Sequence, residues 1–133
     1  MFSTLAQVFL TCGDEGVVAK WRKEKVDWKL TVGSKPCSAD FHPSGVSAVV
    51  GTVDGHFLSV NGVTGFNLKT VFVGDFALTA VRFNPSGNLV AVAAETGIIF
   101  LYSVTDSGKG FRKCGRINCS TRDQSYKDFF YCN

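Results

Sequence analysis

One six-residue pattern, alike at four of its six positions, occurs twice in this chain and governs what the chain can fold into. Asp40-Phe41-His42-Pro43-Ser44-Gly45 recurs as Arg82-Phe83-Asn84-Pro85-Ser86-Gly87, 42 residues further on. A short alternating segment precedes each copy, Cys37–Phe41 and Thr79–Phe83, and an apolar run follows, Val46–Gly51 and Asn88–Ala93. Each run passes through a turn, Thr52–Gly55 or Ala94–Gly97, into a further strand-like segment, His56–Val60 or Ile98–Tyr102. The start of the chain carries the back half of an earlier copy: Val8–Cys12, the turn Gly13–Gly16, then Val17–Trp21. The turn glycines Gly16, Gly55 and Gly97 fall 39 and 42 residues apart.

The chemistry of the unit fits antiparallel strands. Pro43 and Pro85 preset the backbone for a reversal, and Gly45 and Gly87 accept the positive φ such a reversal needs. Gly55 and Gly97, like Gly16, do the same at the next hairpin. The apolar runs read as strands covered on both faces, which lose clean alternation. Phe41 and Phe83 are equivalent, as are Trp21, Val60 and Tyr102, and these positions are expected to seal one repeat against the next. The expected strands are Gln7–Cys12, Val17–Trp21, Val26–Val32, Pro36–Phe41, Val46–Thr52, His56–Asn61, Leu68–Val73, Ala77–Phe83, Leu89–Ala94, Ile98–Val104 and Phe111–Arg116. No stretch holds a sustained helical period.

A period of about 40 residues with short strands and tight turns is that of a WD-type propeller blade. The fold class expected is therefore all-β: a partial WD-repeat β-propeller of about two and a half to three four-stranded antiparallel blades, not closed, since closure takes about four to eight. Residues 1–34 are assigned to a partial first blade, 35–75 to a second, 76–116 to a third, and 117–133 to a divergent, poorly ordered tail. A piece of a longer protein is the expectation, and its terminal blade faces, uncapped, should make the isolated chain aggregation-prone.

Hydrophobic residues make up 45% of the 133 and charged residues 19%, a balance that suits a cored domain and not a disordered tail. The net charge of +3 is slight and its sources are scattered, which argues against a nucleic-acid binder. Two basic clusters stand out: Lys20, Arg22, Lys23, Lys25 and Lys29, and Lys109, Arg112, Lys113 and Arg116. Glu24 and Asp27 interrupt the first. Both clusters read first as solvated loops; as a partner surface, Lys20, Arg22, Lys23 and Lys25 are the best electrostatic choice. No apolar run approaches the roughly 20 residues of a membrane span, and the first ten residues lack the basic start and apolar centre of a targeting segment. Five cysteines at irregular spacing argue for reduced cytosolic thiols. Cys114 and Cys119 lack the spacing of a zinc knuckle and a second pair. His42 reads as a turn residue and His56 as a half-exposed strand residue. Asp40 is expected to bond within its own turn, and Asp14 and Asp54 to support equivalent hairpins. No ordered Ser-His-Asp set, phosphate-binding glycine loop or carboxylate pair is present. The expectation is no enzyme, no cofactor and no metal.

From Phe9 to Gly115 the chain resembles the propeller repeats of the echinoderm microtubule-associated protein-like family. The residues carrying the likeness are Phe9–Glu15 with Trp21, Val26-Asp27-Trp28, Cys37–Gly45, Val50-Gly51-Thr52 before Asp54-Gly55, Val81–Val92, Ile99–Val104 and Arg112–Arg116. The likeness stops near Arg116, where a Gly-His pair and an Asp-Trp strand end would be expected. It implies a non-catalytic scaffold in the cytoplasm, on the cytoskeleton, whose complete parent propeller binds tubulin or microtubules and other proteins, with no nucleic-acid or membrane partner. A general WD-repeat adaptor of a signalling or ubiquitin-ligase complex is the other reading. The family's coiled coil and hydrophobic motif are not in this sequence.

Overall fold

Six glycines have φ between 77 and 88°, and five of them, Gly16, Gly45, Gly55, Gly87 and Gly97, stand in the reversals of the repeat. This left-handed region costs an L side chain free energy but not glycine, so the reversals are fixed by local sequence. In the computed structural model, residues 2–5, 8–13, 15–105 and 110–118 are described. They form twelve strands: β1 (Phe2–Leu5), β2 (Val8–Cys12), β3 (Val17–Arg22), β4 (Lys25–Thr31), β5 (Pro36–Phe41), β6 (Ser47–Thr52), β7 (His56–Asn61), β8 (Asn67–Phe72), β9 (Leu78–Phe83), β10 (Leu89–Ala94), β11 (Ile98–Thr105) and β12 (Gly110–Asn118). There is no helix among the described residues.

The strands make three four-stranded sheets in simple meander order, β1-β2-β3-β4, β5-β6-β7-β8 and β9-β10-β11-β12. Every neighbouring pair is antiparallel. The expected all-β, unclosed run of blades is what the chain forms. The first sheet has four strands, not a partial set: β1 was not anticipated, because no repeat string precedes it. Gln7 and Asp14, named above, lie outside the described residues, as does Lys109. β12 continues through Asn118, two residues into the stretch assigned to the tail; residues 119–133 lie outside the described part.

A bulge recurs at one place in all three sheets. Register shifts between Lys20 and Trp21, Ser59 and Val60, and Leu101 and Tyr102, leaving Asp27, Leu68 and Cys114 as the extra residue on the outermost strand. A bulge bends its strand and re-aims side chains, and here it turns each outer strand in the same way.

The core consists of two sheet-to-sheet interfaces. Leu10, Val18, Trp28 and Val32 of the first sheet meet Ala39, Phe41, Ala48, Val50, Leu58 and Val60 of the second. Val49 and Phe57, from the opposite face of the second sheet, meet Leu78, Val81, Val90, Val92, Phe100 and Tyr102 of the third. This explains the unbroken apolar run: all six residues of β6 are buried, because alternate side chains face different neighbours. In β2, with one covered face, only Leu10 is buried. Val60 and Tyr102 do seal sheets together, each almost fully buried. Trp21, at the equivalent position, faces away from the second sheet; it stacks on Phe9 of its own sheet at 6.1 Å and donates its indole N–H to Thr11 Oγ1 at 3.0 Å.

Hydrogen bonds cross the same interfaces. Lys20 Nζ and Trp28 Nε1 both donate to the carbonyl of Gly62, at 2.7 and 3.1 Å. Ser38 Oγ accepts the Val81 amide at 3.2 Å and Asp40 Oδ2 the Phe83 amide at 2.9 Å. Asp40 therefore reaches the next sheet, a contact that the sequence reading had not assigned to it. Its position beside the inner edge of β9 places an acceptor against amides that have no strand partner there, which is one way a sheet edge is blunted.

Candidate interaction surface

The residues singled out in the sequence divide sharply by environment. The β3–β4 turn carries Arg22, Lys23, Glu24 and Lys25 into solvent. Arg22 Nε donates to Asp27 Oδ2 at 3.0 Å, which the bulge at Asp27 brings within reach. Lys20 does not belong with them. It is 5% exposed, its ammonium lies 3.7 Å from Asp27 and 5.9 Å from the Phe41 ring centroid, and its hydrogen bond goes to Gly62. The expectation of a surface Lys20 is corrected on the physical ground that its strand position is equivalent to Ser59 and Leu101, which point into or along the sheet stack. Its charge is compensated locally, as a buried charge must be.

The structural turn residues lie where the sequence put them. Gly45 and Gly87 donate their amides to His42 O and Asn84 O at 2.8 and 2.9 Å, closing the turns that contain Pro43 and Pro85. His42 also joins two turns. The Ser44 amide donates to His42 Nδ1 at 3.1 Å, so the proton is on Nε2, which donates to Gly87 O at 3.0 Å. The ring meets Phe83 edge-on at 5.1 Å. A Cβ at Gly87 would lie 2.3 Å from His42 Nε2, so a larger residue there would displace the imidazole and strain a backbone at φ 77°.

Gly55 and Gly97 close the opposite turns, donating to Thr52 O and Ala94 O. Beside Gly55, a cleft of about 290 Å³ opens between the first and second sheets, bordered among others by Ser34, Thr52, Asp54, His56, Asn67 and Thr70. Thr52 Oγ1 donates to Asp54 and His56 Nδ1 sits 3.2 Å from the same carboxylate. The Thr52 hydroxyl, then His56, hold the Asp54 carboxyl below its usual range. Both groups lean on the carboxylate, so the hydroxyl is not aimed at the imidazole as a nucleophile would be at its base. Burial pushes the Cys37 thiol up to about 11, with the neighbouring Cys12 adding to the rise. Burial likewise raises Cys12 and the Tyr102 phenol. Among the described residues no three His, Cys, Asp or Glu side chains gather at a spacing that would hold a metal ion.

The sequence reading missed the apolar residues on the basic end of the second sheet. Val46, Val63 and Phe66 are exposed on the turns that flank Gly62. Their signal was three apolar residues in segments otherwise made of turn formers, Ser44-Gly45-Val46-Ser47 and Asn61-Gly62-Val63-Thr64-Gly65-Phe66.

This architecture, meander sheets of four strands stacked face to face at a 40-residue repeat, is that of a β-propeller segment. The fold matches solved propellers: BamB from Moraxella catarrhalis, with TM-score 0.74 and 18% identity over 88% of this chain and 34% of that one, and a chain of the mitotic checkpoint complex, with TM-score 0.76 and 15% identity over 89% of this chain and 37% of that one. No known family profile matches the chain. Individual relatives do. The 77 kDa echinoderm microtubule-associated protein of Strongylocentrotus purpuratus is 34% identical over 114 residues, 84% of this chain and 16% of the relative. Human echinoderm microtubule-associated protein-like 3 is 32% identical over 81% of this chain and 12% of the relative, and mouse echinoderm microtubule-associated protein-like 1 is 32% identical over 83% and 14%. The repeats of this chain belong to the echinoderm microtubule-associated protein-like family, and the chain spans 12–16% of the length of these relatives.

Proposed function

We propose that this chain is a propeller segment of a microtubule-associated scaffold, located at the cytoskeleton, that works by binding tubulin or other proteins and catalyses nothing. The observation that carries this is the 32–34% identity, over 81–84% of the chain, to proteins named for microtubule association. The rigid stack of sheets with solvent-facing turns supports it, because such turns are where recognition concentrates. So does the Thr52–Asp54–His56 cluster, which is arranged to brace a turn. The binding belongs to a complete propeller, and nucleic acid and membrane are not its partners. The net charge of +3 gives the isolated chain little attraction for an acidic filament at physiological salt.

A chimera tests this reading. The 114 residues of the sea urchin protein matched by this chain would be replaced by the corresponding segment, and the product sedimented with polymerised tubulin. Saturable pelleting like that of the unmodified sea urchin protein is expected; the isolated chain should not pellet saturably at near-physiological salt. A folded chimera that stays in the supernatant while the unmodified protein pellets would overturn the proposal.

A further inference from the structure

The two ends of this stack differ in charge. In a meander, turns alternate between ends. One end holds the β3–β4, β5–β6, β7–β8 and β9–β10 turns, tied together by His42 to Gly87 and by Lys20 and Trp28 to Gly62. The other holds the β2–β3, β4–β5, β6–β7, β8–β9 and β10–β11 turns. Among the described residues the second end exposes Glu15, Asp54, Asp75 and Glu95 against Lys35. The first exposes Lys23 and Lys25 against Glu24, besides Arg22 and Asp27, which pair with each other. No Asp or Glu occurs in its β5–β6, β7–β8 or β9–β10 turn.

The basic end also carries the most exposed large apolar side chains described: Val46 at 59%, Val63 at 68% and Phe66 at 72%. Single exposed apolar residues need no explanation. These three are held around one point. The Gly62 amide donates to Val46 O at 2.7 Å, and the Asn61 amide to Phe66 O at 2.8 Å. Gly65 lies against the Trp28 ring so closely that a Cβ would sit 2.6 Å from it. Trp28 and Lys20 pair in register two steps below the tip of the β3–β4 turn, which puts the basic tip roughly 7 Å beyond the Gly62 contact at about 3.3 Å per residue. An apolar centre with a charged rim, on a rigid backbone, is the anatomy of a protein-docking patch.

We infer that Val46, Val63 and Phe66, flanked by Lys23 and Lys25, form a docking surface for an acidic protein segment that carries apolar side chains. The charge selects Asp and Glu, and the exposed valines and Phe66 take the apolar residues between them. A nucleic acid would satisfy the bases but leave Val46 and Val63 without a use. The inference does not need the microtubule reading: any partner of this chemistry fits.

The probe is a fluorescein-labelled peptide of alternating Glu and Leu, compared with an all-Glu peptide of equal length and with oligothymidine, by anisotropy against the full chain and against the sea urchin chimera. The Glu/Leu peptide should bind at least tenfold more tightly than the all-Glu peptide, since the apolar contacts add to the charge. V63S/F66S should remove that advantage, and K23E/K25E should weaken binding about fivefold or more and flatten its salt dependence. E15K/E95K, on the other end, should change it less than twofold. Equal binding of both peptides, tighter binding of oligothymidine, or indifference to both sets of substitutions in folded protein would overturn the surface. A chimera that pellets with microtubules yet ignores the peptide would overturn this surface alone; peptide binding in a chimera that does not pellet would overturn the microtubule reading alone.

Discussion

Lys20 of β3 donates its ammonium to the carbonyl of Gly62, 2.7 Å away in the next sheet and 42 positions along the chain, and Trp28 donates to the same oxygen. One carbonyl thus receives two polar groups that the first sheet sends across the interface. Gly62 has no room for more: a Cβ would lie 2.5 Å from Gly45 O. The charge of Lys20 meets Asp27 at 3.7 Å, and Asp27 also holds Arg22.

From this geometry Lys20→Met should be mild. It removes a charge-assisted hydrogen bond worth about 1.5–3 kcal/mol and with it the cost of burying an ammonium, while Trp28 still satisfies Gly62 O and Arg22 still pairs Asp27. A net loss under about 1.5 kcal/mol is expected. Lys20→Glu should cost more than about 3 kcal/mol, because it sets a buried anion against Asp27 and a carbonyl. Urea unfolding midpoints of the two variants in the same propeller host check the order; equal effects would show that Lys20 is not buried as described.

The repeat was legible because its turn chemistry is local. Pro43-Ser44-Gly45 and Pro85-Ser86-Gly87 specify a reversal whatever surrounds them, and the reversals set the strands. Lys20 was not legible, because Lys20-Trp21-Arg22-Lys23-Glu24-Lys25 reads as a solvated turn until a partner in the next sheet is known. Its alignment with Ser59 and Leu101 was the available clue. The cross-sheet role of Asp40 was hidden for the same reason: it accepts from an amide 43 residues away. The bulges at Asp27, Leu68 and Cys114 depend on how the third and fourth strands pair, which no propensity encodes. The solvent-facing apolar residues around Gly62 went unread because exposure is a property of the stack.

The β9 edge should depend on two side chains of β5. Ser38, 1% exposed, caps the Val81 amide. Ser38→Ala leaves that amide unsatisfied in the core, at a cost of about 1–3 kcal/mol. Asp40→Asn keeps an acceptor for Phe83 and should cost less than Asp40→Ala. Hydrogen exchange is the discriminating readout: the Val81 amide should exchange faster in Ser38→Ala and the Phe83 amide in Asp40→Ala, each without matching acceleration at the other.

The thiols should react in a fixed order. Cys37 is half-buried with its thiol pushed up to about 11, so at neutral pH it is almost wholly the unreactive protonated form. Cys114, the bulge residue of β12, is exposed. Iodoacetamide at neutral pH should label Cys114 well before Cys37, read by peptide mass spectrometry over time. Comparable rates would mean that the interface around Cys37 opens.

Asp54 carries a pH dependence whose sign follows from its lowered folded value. A carboxyl held below its unfolded range, about 3.9, favours the folded state above that range, and the contribution fades as pH falls through the folded value. The loss therefore begins near about pH 5 and completes only below the folded value, which lies under the unfolded one. Asp54 is largely solvent-exposed, so the effect on global stability should be small and the local one clear. The largest cause is the Thr52 hydroxyl, so Thr52→Val should move the Asp54 titration upward, toward an ordinary aspartate, while His56→Gln moves it less. Carbon-detected NMR titration of the Asp54 carboxyl measures both. A larger shift in His56→Gln would mean that the imidazole, and not the hydroxyl of Thr52, holds the proton off this turn.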